Sequence, residues 1–325
     1  MKLIFFAFKH RYRYKDLNNF LQTRFYNKYL ILNLGGPFKH VLAKILIWLN
    51  IGYAISCDAR PLIKKKGINF FIRGTNLNIP TNFRKLKNNY VSIINPFKKE
   101  KNIFQIYPIN LIQAKLNIDP KIIFVSSINI DTNDEQRKLW NRQKDKILND
   151  FTIIDKKSFW QNYLSKKNLE ELFIYYRKFK LLIRYEVIKH ISKKFKERLI
   201  LIGDDWQKYS INALPSNYDY KYLKKLYKGN ICLDLGSVEG SSSFYPRSNQ
   251  IIESGGLILQ NKQSDFQKEW ESLKNKLLFS NLKNLDNQLN FMLDNKNFSD
   301  NLLQQLFKNF SKSKKLIEKN LDRIF

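Results

Sequence analysis

Apolar strand patterns alternate with helical patterns along this chain, and the alternation constrains the fold more than any other feature. The buried strand pattern "KYLILNL" (28–34) runs into Gly-Gly-Pro and then into apolar residues at helical spacing: Val41, Leu42, Ile45, Leu46 and Leu49. Gly52 ends this helix, and "YAISCDA" resumes as a strand. A strand, a glycine loop, a helix and a strand form a βαβ unit, so we expect parallel strands here. "INFFIRG" and "YVSIINPF" are further strand patterns.

A second alternating series begins near residue 120. Its strand patterns are "KIIFVSS" (121–127), "RLILIGDDW", "NICLDLG" and "LILQN". Amphipathic helices separate them, the first opened by Asn133 or Asp134 and a later one stopped by Gly229. The tail is typical of one amphipathic helix with Leu302, Leu306 and Phe310 on one side. The whole pattern predicts an α/β protein with doubly wound sheets, and 325 residues suffice for two domains.

The charge of the chain indicates an anionic partner. The sequence holds 58 Lys and Arg residues against 28 Asp and Glu residues, a net charge of +30. Nucleic acid, phospholipid headgroups and nucleotide-linked substrates would all complement such a surplus. The chain is also rich in Lys, Asn and Ile, so the compositional bias of an AT-rich genome is the alternative explanation.

Neither the cysteines nor the apolar runs indicate secretion or a membrane span. Cys57 and Cys232 lie in apolar, strand-like runs without Cys or His at metal spacing, which favours buried thiols in a reducing compartment. The N-terminal apolar run is too short for a signal peptide. The longest apolar stretch is interrupted by Lys44, Asn50 and Gly52, and it falls short of the roughly 20 residues that a span requires.

A Gly/Ser-rich loop follows the strand pattern "NICLDLG" and is typical of cofactor or nucleotide sites. One interpretation is the S-adenosylmethionine loop of a methyltransferase, Asp-x-Gly-x-Gly-x-Gly, which Asp234, Gly236 and Gly240 fit but Val238 does not. Only one clear strand pattern, "LILQN", follows this loop, whereas most of a methyltransferase sheet should come after it. The other interpretation is the donor loop of an enzyme that uses nucleotide sugars.

Both halves of the chain resemble GT-B glycosyltransferases of the group-1, family-4-like type. Gly35-Gly36 and Gly52-Tyr53 stand where the opening strand–glycine–helix–strand unit of that family has its turns. In the second half, "RSNQIIESGG" resembles the family's Arg-x-x-Glu helix start, followed five residues later by a glycine, here Gly255. Gln250 stands where the family has its ribose-binding Glu, and Ser242 stands where it has the paired Glu. These two departures put retaining family-4-type chemistry in question.

The resemblance implies a GT-B fold, with two Rossmann-like domains facing across a cleft and a C-terminal helix. The implied boundaries are 1–115 for acceptor binding, 116–275 for the donor and 276–325 for the helical segment. Glu239 and His40 are the candidate catalytic residues, although Glu239 is also read as a solvated loop carboxylate and His40 as an ordinary helix residue. The implied nucleotide-binding residues are Gly35, Gly36, Gly203, Ser237, Arg247, Gln250, Glu253 and Gly255.

The implied activity is transfer of a hexose-like sugar from a nucleotide-sugar co-substrate to a glycan or lipid-linked acceptor in bacterial surface polysaccharide synthesis. The chain contains no Asp-x-Asp motif and no His/Cys cluster, so neither a metal nor another cofactor is expected. The implied location is the cytoplasm, with peripheral binding to the inner face of an anionic membrane through basic and aromatic segments at 8–15, 64–66 and 97–102. No nucleic acid partner is implied. The alternative is a nucleic-acid-binding protein or an S-adenosylmethionine-dependent RNA methyltransferase.

Overall fold

The computed structural model describes residues 2–6, 29–34, 39–49, 51–56, 70–74, 89–93, 111–236, 238, 246–262, 273–311 and 315. The chain divides into two compact units. Unit 1 comprises Met1–Asn110 with Lys312–Phe325, and unit 2 comprises Leu111–Ser311. Each unit contains one five-stranded parallel sheet, so the predicted α/β class is confirmed.

Unit 1 is built on strands β1 (Lys2–Phe6), β2 (Tyr29–Asn33), β3 (Tyr53–Ser56), β4 (Phe70–Gly74) and β5 (Asn89–Ile93). Their order across the sheet is β2-β1-β3-β4-β5, and every pair is parallel. Helix α1 (Lys39–Trp48) joins β2 to β3 and buries Ala43 and Ile47. The predicted parallel βαβ unit is therefore present.

Strand β1 corrects one element of the sequence interpretation. "KYLILNL" was expected to open the first domain, but β1 precedes it and lies between β2 and β3 in the sheet. Ile4 and Phe5 of β1 are fully buried in the core. The strand that precedes Gly35 and Gly36 in the sequence is consequently an edge strand rather than a central one. A five-residue strand at the start of the chain offers too short an apolar pattern to be separated from a terminal run.

Unit 2 is built on strands β6 (Ile122–Val125), β7 (Leu199–Ile202), β8 (Ile231–Asp234), β9 (Leu257–Asn261) and the two-residue β10 (Leu278–Phe279). Their order is β10-β9-β8-β6-β7, again entirely parallel. Numbered within the unit, this is the order 2-1-3-4-5 of doubly wound folds. The chain passes from β6 outward to β7 and then returns to β8 on the other side, so the switch point lies between β6 and β8.

The helices of unit 2 are α2 (Asp134–Asn149), α3 (Lys157–Tyr163), α4 (Leu169–Lys194), α5 (Tyr220–Tyr227), α6 (Pro246–Glu253), α7 (Lys274–Leu277), α8 (Leu282–Asp294) and α9 (Lys296–Ser311). Of the two residues predicted to cap α2, Asn133 and Asp134, the structure shows Asn133 in a complete capping box with Gln136. Leu302, Leu306 and Phe310 are buried along α9, as the spacing indicated, and α9 packs against β9. The predicted continuation of this helix beyond Ser311 lies largely outside the described residues.

The core of unit 2 combines the buried strands with an aromatic cluster on the helices. Strands β6, β8 and β9 are buried at every position, which explains their uninterrupted apolar patterns. Trp140 and Trp160 both contact Phe179 edge to face, with ring centroids 5.2 and 5.1 Å apart. Cys232 is a buried thiol within β8, as predicted, whereas Cys57 lies outside the described residues.

Candidate functional site

The strands of unit 2 all end at one edge of the sheet, termed here the carboxyl edge. Ligands of open α/β sheets bind outside this edge, at the switch point of the strand order. In unit 2 the switch point is spanned by Arg184 of α4, whose side chain is 8% exposed. Its guanidinium donates from Nη1 to Ser126 Oγ (2.9 Å), after β6, and from Nη2 to the Gly236 carbonyl oxygen (3.1 Å), after β8. Arg184 thereby ties the two strand ends on either side of the switch point.

A cluster of hydroxyl groups lies beside the switch point. Ser127 Oγ is 2.9 Å from Ser216 Oγ and 3.0 Å from the Tyr218 hydroxyl, and it accepts a hydrogen bond from the Asp204 amide (2.9 Å). Asp204 in turn accepts from the Ser216 amide (3.0 Å). The segment that carries Ser216 is held at this edge because Leu214 pairs with the end of β7. The hydroxyls of Ser127, Ser216 and Tyr218 can therefore both donate to and accept from the hydroxyls of a ligand.

Tyr218 has an exposed ring and a hydroxyl held in place. Its side chain is 58% exposed, yet its hydroxyl bonds to Ser127. Partial burial acts to raise the pKa of Tyr218, but the hydrogen bonds with Ser127 and Ser216 and the charge of Arg247 together hold it below its ordinary value. A fixed, solvent-facing aromatic ring next to a cation can stack on a planar ligand.

Asp234, the last residue of β8, organises the start of helix α6. The carboxylate is completely buried and accepts hydrogen bonds from the Gly236 amide (2.9 Å), the Ser248 hydroxyl and Gln260 Nε2 (3.0 Å). Gln260 Nε2 also lies 3.1 Å from Ser248 Oγ. The network connects the ends of β8 and β9 to the first turn of α6, and so fixes the position of Arg247, the residue before Ser248.

Helices α2, α5, α6 and α8 begin at the carboxyl edge, because each follows the end of a strand. The Asn281 side chain caps α8 by accepting from the Asn284 amide (2.7 Å). The amide groups of α2 are satisfied by the Asn133–Gln136 capping box, and its first turn is acidic. Those of α5 are capped by the Asp219 side chain, which accepts from the Tyr222 amide (2.8 Å). Helix α6 has no acidic residue in its first turn, where Arg247 lies instead. A cation is unfavourable at the positive end of a helix dipole unless an anion joins it, so α6 is the helix suited to an anionic ligand.

A buried hydroxyl belongs to Tyr227, the last residue of α5, whose backbone lies at the opposite edge of the sheet next to Gly256. The Tyr227 side chain is 1% exposed, and its hydroxyl has no hydrogen-bond partner among the described residues. Burial raises the pKa of Tyr227, while the charge of Arg247 opposes this shift and that of Asp234 adds to it. Tyr227 is therefore close enough to feel both charges. A buried, unpaired hydroxyl is unusual in a folded protein and points to a ligand or a solvent molecule as its partner.

The structure brings three of the sequence-predicted site residues to the carboxyl edge: Gly203, Arg247 and Gln250. Arg247 and Gln250 are half-buried and lie one helical turn apart, on the same side of α6. Gly203 follows β7, but packing already explains this glycine, because a Cβ there would lie 2.1 Å from the Ser126 carbonyl oxygen. Nucleotide contact by Gly203 stays a prediction.

Two other predicted residues lie at the opposite edge of the sheet. Helix α6 runs back along the sheet, so Glu253 and Gly255 come just before the start of β9. Gly255 has φ +74°, and a Cβ there would lie 2.8 Å from Ala114 Cβ. The Glu253 carbonyl oxygen accepts from the Ile112 amide (3.1 Å). These residues close the helix against residues 112–114, which is a packing role remote from the carboxyl edge.

The remaining predicted site residues lie outside the described part of the chain, either entirely or in their side chains. Four of these residues lie entirely outside the described part: Gly35, Gly36, Ser237 and Glu239. The basic segments at 8–15, 64–66 and 97–102 lie outside it as well. For His40 the backbone is described as the second residue of α1 and the side chain is not. Their roles therefore stay predictions.

Several residues of the carboxyl edge were not predicted from the sequence: Ser126, Ser127, Arg184, Ser216, Tyr218, Ser248 and Gln260. Asp234 was considered only in the methyltransferase interpretation. One signal was available for some of them. Polar residues that directly follow a buried strand, such as Ser126 and Ser127, lie at the ligand-binding edge by the rule that located Gly203. Arg184 had no such signal, because it lies in a long basic helix that resembles a solvated surface.

Comparison with known proteins gives no family for this chain. No protein-family model matches it, and no curated protein matches it. Within the described ranges, no three His, Cys, Asp or Glu side chains lie close enough together to hold a metal ion. In the same ranges no helix combines the length and the apolar character that crossing a bilayer would require.

Proposed function

We propose that this chain is a metal-independent glycosyltransferase of the GT-B type, and that unit 2 binds the nucleotide diphosphate of its sugar donor at the carboxyl edge. The observation that carries the proposal is that Arg247, in the first turn of α6, and the anchored Tyr218 ring both lie at the carboxyl edge beside one switch point. A cation, a helix N-terminus and an anchored aromatic ring together match a phosphate group joined to a planar base.

The two units support the GT-B part of the proposal. Both sheets are parallel, five-stranded and of the order 2-1-3-4-5, as expected for two Rossmann-like domains. In the proposal the two domains face each other across a cleft, with the donor held by unit 2 and a glycan or lipid-linked acceptor held by unit 1. The sequence contains no Asp-x-Asp motif, which supports binding of the donor without a metal ion.

Each group at the edge has a role in the proposed reaction. Arg247 and the first amides of α6 would stabilise the negative charge that develops on the diphosphate as the bond to the sugar breaks. The hydroxyls of Ser127 and Ser216 would hold ribose hydroxyls, and Gln250 is a further candidate for this contact. The Tyr218 ring would pack on the base. Glu239 and His40 stay the candidate residues for contact with the transferred sugar and the acceptor.

Calorimetric titration of the purified chain with uridine and guanosine diphosphates tests the proposal. Arg247→Ala should weaken binding by about 10- to 150-fold, because a hydrogen bond to a charged group contributes about 1.5–3 kcal/mol. Arg198→Ala is the matched control: Arg198 precedes β7 at the opposite edge and pairs only at the surface with Asp119 (3.1 Å). The control should bind the nucleotides as the unchanged chain does.

Three results would contradict the proposal. Equal loss in Arg247→Ala and Arg198→Ala would mean that general positive charge attracts the nucleotide. Unchanged affinity in a folded Arg247→Ala variant would mean that the nucleotide binds elsewhere. Binding of S-adenosylmethionine in place of either nucleotide would favour the methyltransferase alternative. Hydrolysis of a nucleotide sugar by the unchanged chain would separate an enzyme from a protein that merely binds nucleotides.

A further inference from the structure

Helix α1 of unit 1 exposes a continuous apolar face. Of the 14 large hydrophobic side chains that are exposed among the described residues, six fall within the 11 residues from 41 to 51. Trp48 is the most exposed of the six, at 62%. Scattered apolar side chains are normal on a protein surface, whereas a contiguous group marks a binding surface. The six residues are Val41, Leu42, Ile45, Trp48, Leu49 and Ile51.

The exposed face is distinct from the face that α1 packs onto unit 1. Ala43 and Ile47 are buried, at 0% and 1% exposure, and they anchor the helix. At about 100° per residue, the exposed residues from Val41 to Leu49 cover an arc of roughly 120° on the other side of the helix. The exposed Lys44 borders this arc next to Trp48. Folding of unit 1 thus buries one face of α1, whereas the apolar side chains on the other face stay 46% to 62% exposed.

The charge of the chain is concentrated in the same unit. Residues 1–110 contain 20 Lys and Arg residues and 3 Asp and Glu residues, a net charge of +17. The other 215 residues carry a net charge of +13. One third of the sequence therefore holds more than half of the surplus. Compositional bias alone would spread the surplus evenly, so the concentration favours a function for it.

We propose that the exposed face of α1 inserts into the interface of an anionic lipid bilayer, so that unit 1 docks on a membrane surface. The apolar arc supplies the hydrophobic contact, and the +17 charge of residues 1–110 supplies attraction to acidic headgroups. Two other occupants fit less well. A second copy would bring two units of charge +17 together, and a nucleic acid would find no phosphate partners along an arc of Leu, Ile and Trp.

The helix would lie in the plane of the membrane. Its ten residues span about 15 Å, half of the hydrocarbon thickness, so α1 cannot cross a bilayer. Trp48 would lie at the boundary of headgroups and acyl chains, where tryptophan is enriched, and Lys44 would reach the headgroups. This inference does not depend on the proposed glycosyltransferase activity, because membrane docking needs only the surface of unit 1.

Vesicle co-sedimentation of the full chain tests the proposal. We expect binding to phosphatidylcholine vesicles that contain phosphatidylglycerol and much weaker binding to phosphatidylcholine alone. The double variant Ile45→Asp, Trp48→Asp should reduce the partition coefficient at least about tenfold, since two large side chains no longer enter the apolar layer. Both positions are exposed, so the variant should fold. The control is Ile174→Asp on α4 of unit 2, where Ile174 is 50% exposed and Ile45 is 48% exposed.

Insertion itself is measured by quenching of tryptophan fluorescence with brominated lipid. The unchanged chain should be quenched, and Trp48→Phe, which keeps the apolar face, should bind the vesicles with most of the quenching lost. The proposal is overturned if the double variant binds as the unchanged chain does, or if Ile174→Asp reduces binding equally. It is also overturned if, without lipid, the unchanged chain sediments as a dimer and the double variant sediments as a monomer, because a second copy would then cover the face.

Discussion

The hydrogen bonds of Asp234 lead to a quantitative prediction for the stability of unit 2. In Asp234→Asn, one carboxylate oxygen becomes an amide group that donates. If the remaining oxygen keeps the Gly236 amide, the new amide faces Ser248 and Gln260 Nε2, which both donate to Asp234 in the native network. Two hydrogen bonds to a buried charge are lost, at about 1.5–3 kcal/mol each, and the Ser248 hydroxyl regains about 1 kcal/mol by turning to accept from the new amide. We therefore expect unfolding to become easier by about 2–5 kcal/mol.

A double-mutant cycle separates this network from a general loss of stability. Ser248→Ala should destabilise the chain by about 1.5–3 kcal/mol. The double variant Asp234→Asn, Ser248→Ala should be destabilised by at least about 1 kcal/mol less than the sum of the two single variants. Ser254→Ala is the matched control, because this buried serine donates to the Gln250 carbonyl oxygen (2.6 Å) at the other end of α6. Its effect should add to that of Asp234→Asn.

Urea unfolding followed by tryptophan fluorescence is the assay. Trp206 is completely buried and donates from its indole nitrogen to the Ser126 carbonyl oxygen (2.6 Å), so its emission reports on the carboxyl edge of unit 2. The reasoning is refuted if Asp234→Asn changes the free energy of unfolding by less than about 0.5 kcal/mol, the scale of an ordinary surface substitution. It is also refuted if Asp234→Asn and Ser248→Ala are additive.

Three further predictions follow from the same structure. Gly203→Ala should destabilise the chain by about 1–3 kcal/mol in urea unfolding, because the added Cβ would meet the Ser126 carbonyl oxygen, and a change near zero would contradict the packing argument. Asp300 accepts hydrogen bonds from the Leu116 amide (2.6 Å) and from Lys296 (2.8 Å). Burial acts to raise the pKa of Asp300, but these partners hold the pKa below its ordinary value. The contribution of Asp300 to folding stability is thus present above pH 3.8 and is lost as the pH falls through the lowered pKa. Asp300→Asn should therefore lower the melting temperature at neutral pH and much less at acidic pH, and an equal loss at both would contradict that linkage. Sugar transfer should survive EDTA, and loss of activity that magnesium or manganese restores would contradict the proposed metal-independent reaction.

The repeated alternation of strands and helices was predictable because each element has a strong local pattern. Strands β6, β8 and β9 are buried at every position, so their sequences are continuous apolar runs. The Asn133 cap and the glycine after α5 have equally local causes. The shortest elements lacked such patterns: β1 lies at the start of the chain, and β10 has only two residues.

The candidate site was only partly predictable, because its contacts join distant parts of the sequence. Ser127 and Ser216 are 89 residues apart, and Asp234 and Gln260 are 26 apart. No spacing rule connects such pairs before the order of the strands is known. The sequence indicated Arg247 because a strand pattern and a helical pattern lie close together there, which is typical of a nucleotide-binding turn. Nucleotide contact by Arg247 stays a prediction.

A structure of the chain soaked with uridine or guanosine diphosphate tests the central claim most directly. The account predicts the diphosphate at the first turn of α6, in contact with Arg247, and the base beside the Tyr218 ring. The nucleotide should thus occupy the carboxyl edge between the ends of β7 and β8. A nucleotide bound at the opposite edge near Gly255, or in unit 1 alone, would contradict the account.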